Sequence, residues 1–234
     1  MITVIMPIMV RSDYTKKALE SLYKNSTGHF DDLVIFIDGL ASDETISAIK
    51  EFYDTYDQSI VKLSVLKSKD WVGVNQARMQ SMQLAKNSKL FIVNDDILVS
   101  HGWDKELNRL LETDWVVCPM FTLGDKDFAW KPQKKSDNIA WHAWWLDLTK
   151  RWQLGDIPSS LKIWYWDDRI WRRCIDLWHA CKRTDNIIVH HYVSKTVYND
   201  EVTKRVLEVV ESDKQARIKI IKQMGWYDTR YSHL

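Results

Sequence analysis

The sequence predicts an α/β protein in which a mainly parallel sheet is flanked by helices on both faces. The first half alternates short runs of β-branched and aromatic residues with longer amphipathic segments, which is typical of strand–helix units. In addition, polar motifs directly follow two of the strand candidates. Ligands of parallel sheets bind beyond the carboxyl ends of the strands, so these motifs are candidates for a binding site.

Strands and helices alternate through the first half of the chain. The strand candidates are Ile2–Met6, Leu33–Ile37, Ile60–Leu66, Lys89–Val93 and Trp115–Cys118. The helix candidates between them are Asp13–Lys24, Asp43–Tyr56, Val74–Lys86 and Trp103–Glu112. We expect Ser12 or Asp13 to cap the first helix and Ser42 or Asp43 the second, because short polar side chains accept hydrogen bonds from the free N–H groups at helix starts.

The second half has weaker signals. Leu123–Ser136 is polar and aperiodic, which predicts a loop, and Ile139–Leu148 has the alternation of a strand, followed by a short helix from Thr149. Helical spacing predicts a helix over Trp166–Lys182, and Ile187–His191 is typical of a short strand. The charged amphipathic segment Asn199–Gln223 predicts a final helix.

Composition restricts the class of protein. A chain of 234 residues with 45% hydrophobic residues is long enough for one well-packed domain. The net charge of +1 gives no global basic field for nucleic acid or an anionic membrane. We expect no membrane span and no signal peptide, because no apolar run has bilayer length and the first residues lack a basic start. The three cysteines lack metal-ligand spacing, which favours a reduced, cytoplasmic protein.

The acidic motif Asn94-Asp95-Asp96 is the most informative feature. It follows an apolar strand candidate and presents three adjacent oxygen-bearing side chains. Mg²⁺ and Mn²⁺ prefer oxygen ligands of this kind, often together with phosphate oxygens. The same triplet is also a good solvent-exposed turn, so its neighbours in the sequence decide between the two interpretations.

Five further motifs accompany the acidic motif in a fixed order. They are Pro7-Ile8-Met9-Val10-Arg11, Asp38-Gly39, Gly73-Val74-Asn75-Gln76-Ala77-Arg78, Trp166-Asp167-Asp168 and Val189-His190-His191. Together they resemble the nucleotide-sugar glycosyltransferases with the GT-A fold, especially the large family 2 group. The chain departs from that pattern at Val10, where Asn is common, at Ile37, which replaces an Asp, and at Ile170, where another acidic residue is frequent.

The resemblance covers about residues 2–198 and implies a domain organisation. Residues 1–198 would form the GT-A-like domain, with a Rossmann-like half at 1–98 that binds the donor nucleotide and an acceptor half at 99–198. Residues 199–234 would form a C-terminal helical extension.

The resemblance also implies donor-side roles. Asp96 would bind Mn²⁺ or Mg²⁺ together with His191 or His190, and Asp95 would contact the ribose or a second metal position. Asp38 would accept a hydrogen bond from a nucleobase N–H, which favours a UDP-sugar. Arg78, Arg11 and Pro7 would lie against the donor, where a planar guanidinium suits paired phosphate oxygens.

On the acceptor side, an inverting transferase needs a carboxylate that takes the proton of the attacking hydroxyl. Asp168 is the preferred general base and Asp167 the alternative, since helix starts also collect acidic caps. Trp164 and Trp166 are the candidates for acceptor contact, because indole faces stack on sugars and on unpaired bases.

The implied function is metal-dependent transfer of a hexosyl or pentosyl group, with inversion, from a nucleoside-diphosphate sugar to an acceptor hydroxyl. The acceptor would be a glycan, a lipid-linked sugar or a modified DNA base. The first alternative is a non-catalytic nucleotide- or glycan-binding module of the same fold. A sugar nucleotidyltransferase is a weaker alternative, because the segment from Pro7 to Arg11 lacks the glycine-rich phosphate loop that it needs.

Overall fold

The computed structural model describes residues 1–9, 12–57, 59–114, 116–123, 143–147, 157–158, 160–162, 181–192 and 200–223. The strands β1 to β8 are Ile2–Ile8, Phe30–Ile37, Lys62–Lys67, Lys89–Val93, Ile97–Val99, Val116–Leu123, Ala143–Asp147 and Cys181–His191. The helices α1 to α5 are Ser12–Lys24, Asp43–Thr55, Val74–Ser81, Trp103–Leu110 and Asp200–Gln223.

The strands form one eight-stranded sheet in the order β3-β2-β1-β4-β7-β6-β8-β5. The pairs β1–β2, β1–β4, β2–β3 and β6–β8 are parallel. The pairs β4–β7, β6–β7 and β5–β8 are antiparallel, so only β5 and β7 run against the direction of the other described strands. The prediction of a mainly parallel sheet is therefore confirmed.

Helices cover both faces of the sheet. Every residue of β1 is buried, which is typical of a central parallel strand. Alternate side chains of β1 enter two separate cores, as the twofold period of a strand requires. Val4 and Met6 pack with residues of α1, α2 and α4, whereas Ile5 packs on the other face. Ala216 and Ile220 of α5 pack against that second core.

Helix α3 is shorter than predicted. It ends at Ser81 rather than at Lys86, because the chain must reverse to enter β4. The Leu84 N–H donates to the carbonyl of Ser81, a tighter turn than an α-helix makes. The backbone N–H of Lys86 then donates to the buried carboxylate of Asp32, 2.8 Å away. A tertiary hydrogen bond therefore holds Lys86, the last residue of the predicted helix, outside α3.

Other boundaries differ by a few residues. β3 begins at Lys62 instead of Ile60, which lies in a turn and is 53% exposed. α4 ends at Leu110 rather than Glu112. Ser42 caps α2, with its side chain accepting from the Thr45 N–H, as predicted. Ser12 and Asp13, the predicted caps of α1, both lie inside that helix.

The acceptor half contains more strand than predicted. β6 continues through Pro119 to Leu123, with an irregularity in its pairing just after Pro119, which has no N–H to donate. β8 begins at Cys181, so the last two residues of the helix predicted over Trp166–Lys182 belong to a strand that pairs with β6. The short β5 was not predicted at all.

The rest of that predicted helix, the helix predicted from Thr149 and the predicted loop after Leu123 lie outside the described residues. Ala143–Asp147 confirms the central part of the strand predicted over Ile139–Leu148. The division of the chain at residue 198 stays a prediction. Among the described helices, none combines the length and the apolar character needed to cross a bilayer.

Candidate active site

The candidate site lies at the carboxyl edge of the sheet. Asp38 follows the end of β2, and the motif Asn94-Asp95-Asp96 follows the end of β4. His191 ends β8 and pairs with Ile97, the residue directly after the acidic motif. Because β2, β4 and β8 run in the same direction, their ends bring these polar groups to one edge.

Asp96 and His191 form a buried pair. The Nε2 atom of His191 lies 3.2 Å from Oδ2 of Asp96, and the two residues are 5% and 2% exposed. The backbone N–H of Tyr192 donates to the Asp96 carbonyl at 3.0 Å, so the backbone fixes the pair as well. A carboxylate and an imidazole at this separation are two potential ligands for one cation.

The two histidines have different surroundings. Whereas His191 faces Asp96, the ring of His190 packs edge-on against Tyr192 with its centroid 5.1 Å away. Among the described residues, no three His, Cys, Asp or Glu side chains gather in a cluster able to hold a metal ion. Asp96 and His191 are the two predicted metal ligands that the structure brings into contact.

Asp95 is also buried, at 9% exposed, and it faces the first helix. The hydroxyl of Thr15 in α1 donates to Oδ2 of Asp95 across 3.3 Å. The acidic motif is thus held from both sides, with Asp95 bonded to α1 and Asp96 paired with the end of β8.

Arg78 and Asn94 connect α3 to the acidic motif. Arg78 is buried, and its Nη2 atom donates to the Asn94 side-chain oxygen at 2.9 Å. This places a guanidinium next to the turn that carries the two carboxylates. Arg78 was predicted to contact the donor, whereas its bond to Asn94 was not foreseen.

Asp38 binds the backbone of a neighbouring loop. Its Oδ1 atom accepts from the N–H groups of Gly39 and Val72 at 2.8 and 2.9 Å, and its Oδ2 atom accepts from Gly73 at 3.0 Å. Burial raises the pKa of the Asp38 carboxyl above its ordinary value, and the three N–H donors and the charge of Lys162 offset this only in part. The carboxylate therefore anchors the loop that leads into α3.

Lys162 is a residue of this region that the sequence did not reveal. Its Nζ atom donates to the Trp71 carbonyl at 3.2 Å and lies 4.8 Å from the centre of the Trp71 ring. Its carbonyl accepts from the Asn75 N–H at 3.1 Å, in the first turn of α3. No motif marked Lys162, because its role depends on packing against a loop far away in the chain.

The remaining predicted residues are only partly described. Pro7 is buried within β1, opposite Phe36 of β2, and its contact with the donor stays a prediction. Five predicted site residues lie outside the described residues: Arg11, Asp167, Asp168, Trp164 and Trp166.

Comparison with protein families gives the identity of the fold. The model of glycosyl transferase family 2 matches residues 3–162, which is more than half of the chain. The chain belongs to glycosyl transferase family 2. The resemblance to GT-A enzymes that the short motifs indicated is confirmed. A comparison with curated protein sequences finds no match.

Solved structures support the same fold. Similar structures include GalNAc-T7 with UDP, GalNAc and Mn²⁺ (TM-score 0.65), TarS of S. aureus (0.61), and the mannosyltransferase PcManGT from Pyrobaculum calidifontis with GDP-Man and Mn²⁺ (0.60). Each is 14% identical to this family 2 protein. The matches cover 82%, 82% and 84% of this chain but 43%, 37% and 58% of those proteins, so the chain spans less than two thirds of each.

Proposed function

We propose that this chain transfers a sugar from a nucleoside-diphosphate donor, preferentially a UDP-sugar, to an acceptor hydroxyl, and that it needs Mn²⁺ or Mg²⁺. The observation that carries the proposal is the buried Asp96–His191 pair, which lies directly beside Asp95 at the carboxyl edge of the sheet. Membership of family 2 supports glycosyl transfer. Two of the similar structures were solved with Mn²⁺, which supports the choice of metal.

The geometry of the pair fits a cation. In octahedral coordination with bonds of about 2.1 Å, neighbouring ligand atoms are about 3.0 Å apart. The observed separation of 3.2 Å between Asp96 Oδ2 and His191 Nε2 is close to that edge length. A neutral imidazole and a carboxylate would leave the remaining positions to diphosphate oxygens and water. The bound ion would supply Lewis-acid stabilisation of the charge on the leaving diphosphate.

The other donor-side residues have separate tasks in this proposal. Arg78 holds Asn94 and keeps a positive charge beside the acidic motif. A carboxylate has about four lone-pair positions, and three of those on Asp38 accept backbone N–H groups. The fourth position, on Oδ2, would accept the ring N–H of uracil or of a similar base, which is compatible with a UDP-sugar.

On the acceptor side, Asp168, with Asp167 as the alternative, is proposed as the general base. The acceptor oxygen would attack the anomeric carbon as its proton passes to that carboxylate, and the bond to the diphosphate would break with inversion. Trp164 and Trp166 would hold the acceptor, proposed as a glycan or a lipid-linked sugar. The names of the three similar structures given above mention neither DNA nor RNA, and a modified DNA base is left out of this proposal. The cytoplasmic location expected from the sequence stays a prediction.

The test is a thermal-shift screen of UDP- and GDP-sugars with Mn²⁺ or EDTA, followed by an assay of donor turnover. A ligand at a hundred times its dissociation constant adds about 2.7 kcal/mol to stability, which a melting curve resolves. We expect a shift that needs Mn²⁺, and its loss in Asp96→Asn and in His191→Gln. Asp168→Ala should keep the shift and lose transfer.

Asp32→Asn is the matched control for Asp96→Asn. Asp32 is a buried carboxylate of β2 and accepts from Thr3 at 2.7 Å, but it lies near the amino end of the strand, about 20 Å from Asp38. The change should lower stability while leaving the Mn²⁺-dependent shift in place. Turnover that is insensitive to EDTA and to Asp96→Asn would refute the metal site. Donor binding without any turnover would favour the non-catalytic module instead.

A further inference from the structure

Thr15 is a buried hydroxyl on the apolar side of α1. The helix packs on the sheet through Ala18, Leu19 and Leu22, which belong to the first core. Thr15 lies on this buried side at 0% exposed, a position where an aliphatic residue would ordinarily fill the space. Its hydroxyl instead donates to Oδ2 of Asp95 across 3.3 Å. A polar group at such a position indicates a specific task, because burying it without a partner is unfavourable.

The same helix also holds the strand that follows the acidic motif. The hydroxyl of Ser21 accepts from the Val99 N–H at 2.9 Å, and the side chain of Asn25, the residue directly after the helix, donates to the Val99 carbonyl at 2.8 Å. α1 therefore contacts the segment from Asp95 to Val99 at both of its ends. Ser21 and Asn25 bind backbone atoms and fix β5, whereas Thr15 alone among these three binds a carboxylate of the motif.

The first turn of α1 also contacts the strand that carries the histidines. The ring of Tyr14 lies 4.8 Å from that of Tyr192, the residue directly after His191. The Tyr192 N–H in turn donates to the Asp96 carbonyl. Tyr14 and Thr15 thus connect one helical turn to both parts of the proposed metal-binding edge.

We propose that Thr15 is a positioning residue for Asp95. The hydrogen bond selects the side-chain conformation in which Asp95 meets the donor ribose or the cation, so it lowers the cost of ordering that carboxylate when the donor binds. The inference rests on the proposed function, since it needs a donor and a metal at Asp95. A hydrogen bond from a hydroxyl to a carboxylate of this kind corresponds to about a fivefold to tenfold effect on an equilibrium constant.

The test compares Thr15→Val with Thr15→Ser. Valine keeps the shape of threonine and removes the hydroxyl, whereas serine keeps the hydroxyl. We expect Thr15→Val to raise the KM for the donor and the apparent dissociation constant of Mn²⁺ about fivefold to tenfold, with a smaller change in kcat. Thr15→Ser should stay within about twofold of the wild type, because its hydroxyl still reaches Asp95. Thr15→Ala also removes the hydroxyl and adds no bulk, so it provides the same comparison if the valine variant does not fold.

Ser21→Ala is the matched control. It removes a buried hydroxyl from the same helix, one that contacts β5 but not Asp95. We expect it to lower the melting temperature and to leave the donor KM unchanged. Three results would overturn the inference: wild-type constants in Thr15→Val, equal losses in Thr15→Val and Thr15→Ser, or an equal rise of KM in Ser21→Ala. A wild-type chain without metal-dependent donor binding would instead refute the proposed function, so the two failures are distinguishable.

Discussion

Replacement of Gly73 by alanine tests the junction between the Asp38 loop and α3. Gly73 has φ +85° and ψ 156°, a backbone conformation that is essentially restricted to glycine and costs other residues about 1–3 kcal/mol. A Cβ atom there would also stand 2.4 Å from Cβ of Lys162 and 2.7 Å from its Cα. Backbone overlap of this kind is not relieved by a rotamer change and adds about 1–3 kcal/mol. We expect Gly73→Ala to lower the free energy of unfolding by about 3–5 kcal/mol.

Two other glycines separate these contributions. Gly28 has φ +89° but nothing within 4 Å of a Cβ, so Gly28→Ala carries only the conformational cost of about 1–3 kcal/mol. At Gly39 a Cβ would stand 2.4 Å from the Asp70 carbonyl carbon, and Gly39→Ala therefore reports the steric cost. Gly73→Ala should be the most damaging of the three, because it combines both effects.

Urea-induced unfolding of the three variants measures these differences. The Mn²⁺-dependent thermal shift then reports whether the Asp38 loop and the start of α3 still support the proposed donor binding; we expect a weaker shift in Gly73→Ala and in Gly39→Ala, but not in Gly28→Ala. Equal destabilisation of Gly73→Ala and Gly28→Ala would show that the close approach of Lys162 does not exist in solution, and would refute the reasoning.

Three further predictions concern stability. Asp104 accepts hydrogen bonds from Ser26, Thr27 and His29. Burial acts to raise the pKa of its carboxyl, but these bonds outweigh it and the pKa is lowered. The contribution of ionised Asp104 to stability is therefore complete above the unfolded-state pKa near 4 and is lost as the pH falls through the folded-state pKa. Asp104→Asn should lower the free energy of unfolding by about 2–4 kcal/mol at pH 7. It should also reduce the loss of stability at acid pH, as measured by urea unfolding at several pH values; an unchanged pH dependence would contradict this. Lys162→Met should lower the free energy of unfolding by about 1–2 kcal/mol, because it removes the contacts with Trp71, and Lys162→Arg should lower it clearly less. No loss in Lys162→Met would show that the ammonium is only solvated. Ser42→Ala should cost about 1 kcal/mol by uncapping α2, whereas Ser42→Asp should be neutral; equal losses would argue against the cap.

The sequence predicted the features of the fold that depend on residue type and on position along a strand. The short apolar runs of β1, β2 and β4 are typical of buried parallel strands, and polar residues directly after such strands are expected at the carboxyl edge. The family resemblance implied that His190 or His191 would lie near Asp96, and the structure places His191 3.2 Å from it. The choice between His190 and His191, in contrast, needed the register of β8.

Features that depend on tertiary contacts were not predictable from local patterns. The segment after α3 is held by a hydrogen bond from Lys86 to the carboxylate of Asp32, which lies on β2. β5 is short, and its pairing with β8 defines it, so no periodicity marks it. The contact of Thr15 with Asp95 and the place of Lys162 join parts of the chain that are distant in sequence. Hydrophobic periodicity carries no information about such pairs.

The pairing of β5 with β8 has a consequence for how the protein matures. It places Ile97 opposite His191, so a loop of roughly ninety residues must close before the pair at the edge of the sheet exists. Contacts of such long sequence separation form late and slowly in folding. If Asp96 and His191 bind a cation as proposed, a nascent chain that has not yet completed β8 would lack one of the two ligands and would neither capture manganese nor engage a sugar nucleotide prematurely.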